Sequence, residues 1–379
     1  MYQHTEQQKR LKAEVRAFVD TEILPVASDY ERERSKLAPL FGRIGDLGFF
    51  GGGTNGEMSA VDATIVTEEL ARGFGSLGLS VCPHFQCCDL LSANAGAILR
   101  SEALEPALRG RSILAYAMSE QSGGSDALGI DTLAIRNGNE WVINGAKSWI
   151  TNAVEAGGFI VAAKTSETSS RRSISTFYVP AGCRGLSIAE GKEMTGVHCS
   201  VRRTVNFTDC RIPLDNLLGE ENAGYRLIKS SLNRGRVLLA AVAIGVARRA
   251  LELAVSYSSS RGYYSRKLSD YQGISFSVAE MYANIAMTRS MLYHVAASCD
   301  SGLPYSMDAA AVKLTATEIC CKVCNDAQLI HGANGLCEDF EVERCARDAR
   351  MLLVAEGTPQ ICKIVVSNAL YNSTDWKNF

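Results

Sequence analysis

The feature that most constrains this chain is a double switch in the period of its apolar residues. From the N-terminus to about residue 110 they recur at helical spacing, in QQKRLKAEVRAFVDTEI, LAPLFGRIGDLGF and VDATIVTEELARGF. From about 112 to 215 the segments become short and rich in strand formers: SILAYAMS, TLAIR, WVING, GFIVAAKT, STFYVPAG and RTVNFTD. After residue 218 the helical period returns in RVLLAAVAIGVARRALELAVSY, ISFSVAEMYANIAMTRSMLYHVAASC, MDAAAVKLTATEICCKVCNDAQLIHG and PQICKIVVSNAL. A chain of 379 residues is long for one core. The order predicts an α+β fold: an N-terminal helical domain over 1–111, a middle β domain over 112–217 and a C-terminal four-helix bundle over 218–379. Two Asn-Gly pairs, Asn137-Gly138 and Asn144-Gly145, flank WVI and are the strongest hairpin signals in the chain.

Composition serves mainly to exclude. A net charge of −2 with 21% charged residues calls for neither nucleic acid nor an anionic membrane as partner. The start, MYQHTEQQKRLKAEVRAF, lacks the apolar core of a signal peptide, and no run of eighteen uncharged apolar residues predicts a membrane span. The 13 cysteines, scattered through apolar runs, read as reduced, core-filling thiols of a cytoplasmic protein. Cys321 and Cys324 form a lone CxxC with no second pair or nearby histidines, so it is read as filling, and no metal site is expected. Gly73–Gly78 spells GxGxxG, but it follows the helical run DATIVTEELAR rather than a strand. It is therefore read as a link between helices and not as a dinucleotide fingerprint.

Three segments carry chemistry. In AYAMSEQSGGSD (115–126) an apolar strand runs into small polar residues that can offer N–H groups and hydroxyls to a polar ring edge or a phosphate. In KSWITN (147–152) Trp149 and Thr151, two apart on a strand, would share a face as an aromatic wall and a hydroxyl donor. Ordinary sheet packing explains either segment equally well. In AEGTPQ (355–360) Thr358 is an N-cap, Pro359 sits at N1 and Gly357 eases the turn, so Glu356 lies between the apolar MLLVA and a helix start. Burial raises the pKa of such a carboxylate and the helix dipole lowers it. The competing reading is a solvated glutamate beside a helix.

Together these segments resemble the acyl-CoA dehydrogenase family. AYAMSEQSGGSD is similar to its A-Y-x-x-T/S-E-P-x-A-G-S-D, KSWITN to K-x-W-I-T-N, and AEGTPQI to Y-E-G-T-x-Q-I. Arg261, Tyr264 and Gln272 match R-x-x-F-G and its following Gln, and Gln328 to Gly332 match Q-x-x-G-G with one Gly changed. The resemblance covers nearly the whole chain in order. It implies a β-barrel or sandwich in the middle domain, and FAD between that domain and the C-terminal helices. Met118, Ser119, Trp149 and Thr151 would line the flavin, with Ser125 nearer the thioester arm. Thr358 and Gln360 would contact FAD beside the base. Arg261, Tyr264, Gln272, Gln328 and Gly332 would hold the FAD of a neighbouring subunit, implying a homodimer or homotetramer. Glu356 would take the α-proton of an acyl thioester while a β-hydride passes to the flavin, with an electron-transfer partner reoxidising it.

Departures from the pattern narrow the expectation. Gly235 stands where some members carry the base on a helix, which leaves Glu356 without a rival. Asn233 replaces a common Asp on the substrate arm, Arg236 is kept, and Ala355 replaces a tyrosine of the acyl pocket. Ser265 replaces the Gly of F-G; His331 replaces a Gly of G-G and is read as a helix-end cation. GGGTNGEM stands where the family has V-P-E-x-x-G-G, and ALRGR where it often has L-x-x-G-E. These changes resemble the branch that oxidises small groups, such as seryl or glyceryl units, on acyl carrier proteins in polyketide and nonribosomal-peptide pathways. The alternatives are α,β-dehydrogenation of a short-chain acyl-CoA, a flavin oxidase or monooxygenase on the same fold, and a scaffold without cofactor.

Overall fold

The computed structural model describes residues 2–51, 58–126, 129–166 and 173–372. GGGTNGEM therefore lies almost wholly outside the described residues. Helix α1 (Glu6–Phe18) opens on a capping box in which Thr5 and Gln8 satisfy each other's backbone N–H. It passes through a π-helical turn, Val19–Ile23, into α2 (Leu24–Glu33). α3 (Ala38–Asp46), α4 (Ala60–Gly73), α5 (Gly75–Asn94), α6 (Ala97–Leu99) and α7 (Glu105–Leu108) follow. Phe74 is the only residue between α4 and α5, so the GxGxxG string spans a helix–helix corner. α5 has no apolar stripe because nearly every side of it is buried, from Gly75 to Ser92.

The middle segment forms one mixed eight-stranded sheet, in the order β6-β7-β3-β2-β4-β5-β8 with β1 added alongside β4. The strands are β1 (Ile113–Ala117), β2 (Leu133–Asn137), β3 (Glu140–Thr151), β4 (Ala156–Lys164), β5 (Ile174–Pro180), β6 (Leu186–Ile188), β7 (Arg202–Pro213) and β8 (Leu217–Leu218). The first Asn-Gly pair makes the expected hairpin: Asn137 pairs with Glu140 across a two-residue loop. The second does not. Asn144 and Gly145 sit inside β3, where the register with β7 slips. Gly145 has φ +144°, and a Cβ there would lie 2.6 Å from Thr132 Oγ1. Asn144 exchanges hydrogen bonds with Asp209, so the pair builds a bulge that bends a long strand rather than ending it.

The C-terminal segment holds α8 (Gly224–Ser260), a small β9 (Gly262–Tyr263) and β10 (Arg266–Lys267) ribbon, α9 (Gln272–Asp300), α10 (Ser306–His331), α11 (Glu341–Leu352) and α12 (Pro359–Asn372). The expected four long helices are present, and α11 is an additional one. Half of its stretch EVERCARDARML is charged, and two of those charges, Arg344 and Asp348, are themselves buried, which hid it. One continuous core joins α1–α5 to α8–α11, and the sheet has its own core around Trp141, Phe159 and Phe177. The first core contains a charged knot. Glu68 of α4, fully buried, pairs with Arg248 of α8 and accepts hydrogen bonds from Arg289 Nε (2.7 Å) and Tyr293 Oη (2.6 Å) of α9. Among the described residues no helix is long and apolar enough to cross a membrane.

Candidate active site

A cavity of about 580 Å³ opens where the sheet meets α5, α8 and the turn before α12. Its sheet wall comes from the two strand-end segments singled out in the sequence. Beyond β1, Met118, Ser119 and further on Ser125 reach the cavity; from the irregular last residues of β3, Trp149, Ile150 and Thr151 do. The two segments are tied by Ser148 N donating to Ser119 O at 2.8 Å. Buried Lys147 fastens them again: its Nζ donates to Met118 O (3.0 Å) and to Glu120 Oε1 (2.7 Å). Burial lowers the Lys147 pKa to about 8 against the pull of Glu120. Trp149 and Thr151 do share the cavity, but not by strand alternation. Pairing with β7 slips between Lys147 and Ile150, and Trp149 has φ +62°.

The opposite wall carries the carboxylate. Thr358 Oγ1 accepts from Ile361 N at 3.3 Å and Pro359 is the first residue of α12, as expected. Glu356 takes a left-handed conformation (φ +52°) and Gly357 follows at φ +97°. This turn is braced from beneath by Lys313 of α10, fully buried, which donates to Leu353 O (2.8 Å) and Gly357 O (2.6 Å). The turn delivers the Glu356 carboxyl onto α8 at Gly235, where a Cβ would come within 2.4 Å of Oε2. A side chain at 235 would therefore have to push the Glu356 carboxyl from this position. Glu356 Oε2 is out of solvent and has no hydrogen-bond partner. Burial raises the Glu356 pKa to about 7, opposed by Arg236, Lys313 and an amide hydrogen bond from Gln86. The contest left open by the sequence is decided by desolvation.

The remaining sequence candidates divide into two groups. Arg236, Ala355 and Thr358 line the cavity with Glu356, and Arg236 Nε is buried without a partner. Asn233 does not reach it: its Oδ1 accepts from Arg236 Nη1 (3.0 Å) and Ser306 Oγ (3.2 Å). Gln360 is exposed on the first turn of α12, off the cavity wall. Arg261, Tyr264, Gln272, Gln328 and Gly332 gather instead at one end of the bundle, where α8 and α10 finish and α9 begins. Asn334 Nδ2 donating to Tyr257 Oη (3.1 Å) joins the ends of α8 and α10. Tyr264 is 89% exposed there. His331 is not the helix-end cation expected. It is buried, stacked on Tyr257 and bonded by Nδ1 to Ala327 O at 2.7 Å, and burial lowers its pKa. All 13 cysteines are free thiols, nine of them buried, and no metal-binding cluster exists among the described residues.

Gln86 on α5 and Lys313 on α10 escaped the sequence reading, as did Arg202 of β7. Lys313 is a lone charge in the apolar, buried stretch AAAVKL, and Gln86 is a buried amide in HFQCC; a long polar side chain in such a stretch is the signal that could have found these two.

The cavity wall suits a flavin. Trp149 is 53% exposed, a large aromatic face left open among the described residues, in the same wall as Ser119 and Thr151. Arg202 and Arg236 place two cations in the same wall, suited to a ring that takes on negative charge when it accepts electrons. Comparison with known proteins agrees. The chain matches the N-terminal, middle and C-terminal domains of acyl-CoA dehydrogenase over residues 5–111, 115–210 and 222–371. It is 30% identical to the short-chain specific acyl-CoA dehydrogenase of Clostridium acetobutylicum, over 97% of this chain and 98% of that one. It is 32% identical to the human mitochondrial short-chain specific enzyme, over 94% and 88% of the two chains. The structure of butyryl-CoA dehydrogenase from Megasphaera elsdenii superposes with a TM-score of 0.94 at 27% identity, covering 98% of this chain and all of that one. A buried carboxylate and an open aromatic wall facing one cavity, on this fold and with these relatives, make the chain a member of the acyl-CoA dehydrogenase family, an FAD-dependent oxidoreductase.

Proposed function

We propose that the chain oxidises a small acyl group held as a thioester, with Glu356 as the base that removes the α-proton. One observation carries this reading: Glu356 Oε2, buried and unpartnered, is held at the cavity by a left-handed turn with a pKa near 7. A base works best when its pKa lies near the working pH, since it is then ionised often enough and still basic enough. Lys313 fixes the turn, Gly235 leaves the space, and Gln86 orients the carboxyl. Arg236 sets a positive charge beside it that keeps part of the population ionised. Met118, Ser119, Trp149, Thr151 and Thr358 would hold FAD, which supplies the two-electron acceptor when bound. Ser125 and Ala355 line the substrate side.

The substrate we favour is a seryl- or glyceryl-type unit on an acyl carrier protein. The departures at Asn233 and Ala355, and GGGTNGEM in place of the family stretch, support it. A short-chain acyl-CoA is the second reading, favoured by the names of the curated relatives. A homodimer or homotetramer, with the five residues at the bundle end serving a neighbour's FAD, completes the proposal, together with an electron-transfer partner. The test is the flavin spectrum of the purified protein under anaerobic conditions. Bleaching by a seryl- or glyceryl-loaded carrier, with butyryl-CoA inert, supports the carrier reading, and bleaching by butyryl-CoA supports the second. A Glu356→Gln protein that bleaches as fast as wild type sinks the role of the base.

A further inference from the structure

Arg202 opens β7 and lies in register with Thr151 at the end of β3. Cross-strand partners share a face of the sheet, and both residues line the cavity. Arg202 is half-buried, and burial lowers its pKa only to about 10, so it stays charged. Its Nη1 donates to Ser200 O at 3.2 Å, and among the described residues it makes no ion pair. Asp348 opposes the effect of burial without pairing, and that carboxyl is committed elsewhere. Its Oδ1 accepts from Val197 N at 2.6 Å, and a Cβ at Gly75 would lie 2.5 Å from Oδ2. The other cations around the cavity are answered. Lys147 pairs with Glu120, Lys313 donates to two carbonyls, and Arg236 has Asn233 Oδ1 and the charge of Glu356. A guanidinium left unpaired at a cavity wall is costly to desolvate unless what fills the cavity brings negative charge.

We propose that Arg202 is a cofactor-tuning residue, whose guanidinium raises the reduction potential of the bound flavin by stabilising the negative charge that the ring carries once reduced. This rests on the reading that the ring lies against Trp149 and Thr151, because Arg202 is its neighbour only through Thr151. The charge follows from the balance of the reaction. Two electrons and one proton pass from substrate to ring while the other proton goes to Glu356, so the reduced ring holds one negative charge. The oxidised ring is neutral, and a nearby cation therefore favours the reduced form over it.

The test is the two-electron midpoint potential of the FAD-loaded protein, from anaerobic reductive titration against a reference dye, together with the dissociation constant of oxidised FAD. Arg202→Met should weaken reduced relative to oxidised FAD roughly 10- to 100-fold, the range of a hydrogen bond to a charged group. For a two-electron couple that is a fall of about 30–60 mV. Arg202→Lys keeps the charge and should keep most of the wild-type potential. An unmoved potential in Arg202→Met overturns the proposal. Equal loss of affinity for both forms overturns it too, because the cation then serves the diphosphate of FAD. A Lys variant that falls as far as the Met variant does the same, since shape and not charge is then at work. Should the Met variant fail to fold, Arg202→Gln, uncharged but able to keep the bond to Ser200 O, takes its place and should show the same fall. Failure of the underlying reading shows separately. Trp149 emission that FAD leaves unquenched removes the ring from this wall, whereas Glu356→Gln bleaching at the wild-type rate removes only the base, because the potential is measured without substrate.

Discussion

A carboxyl that titrates near pH 7 ties both rate and stability to pH. The base acts only when ionised, so flavin bleaching by substrate should rise about tenfold per unit below pH 7 and level off above it, as stopped-flow absorbance would show. Glu356→Gln should lower that rate by about 10²–10⁴. Stability runs the other way. The folded pKa is raised above the ordinary 4.5, so the contribution of the carboxyl is fully favourable below that value and is lost as pH rises through about 7. Glu356→Gln should therefore melt above wild type at pH 8, a result scanning calorimetry can decide. Gly235→Ala tests the opposite face of the same contact. A methyl 2.4 Å from Oε2 must push the carboxyl aside, and misplacement on this scale costs on the order of 100-fold in rate with the fold intact. A Gly235→Ala enzyme of wild-type rate would mean that the carboxyl does not act from where it stands.

At the scale of elements, the turn before α12 depends on α10 through one side chain. Lys313→Met strands the carbonyls of Leu353 and Gly357, at a cost of about 1–3 kcal/mol. Urea titration should show that loss, and the variant should also lose rate because the turn aims Glu356. Local signals made this element readable in advance. Thr358, Pro359 and Gly357 act within a few residues of each other, so cap, first turn and bend were all legible. The fate of the carboxyl was not, because it depends on Gln86, Gly235 and Lys313, which reach it only through tertiary packing. The same division explains the rest. The order helix, strand, helix is a property of local period and was plain, whereas Asn144-Gly145 carries a hairpin signal that the pairing of β3 with β7 turns into a bulge. α5 hid behind burial on all sides, and α11 behind its charges.

For the whole molecule, the first core is held across α4, α8 and α9 by Glu68. Burial alone would raise its pKa, but Arg248, then Arg289 and Tyr293, bring it down to about 2. A depressed folded value contributes stability that is present above the ordinary 4.5 and is lost as pH falls toward 2. Acid should therefore loosen the helical core early, and circular dichroism between pH 4.5 and 2 would record a steeper loss in wild type than in Glu68→Gln. Glu68→Ala at neutral pH leaves the half-buried Arg289 without an ion-pair partner among the described residues, while Arg248 keeps Glu69, and should cost about 1–3 kcal/mol. The sparse indole content of the chain adds a practical consequence. Of its three tryptophans, Trp141 is buried in the sheet core, Trp376 lies outside the described residues, and Trp149 forms the open wall of the cavity. The protein thus carries its own optical gauge of occupancy: in a Trp141→Phe, Trp376→Phe background Trp149 is the one emitting indole, and its quenching on titration with FAD should follow cofactor loading directly.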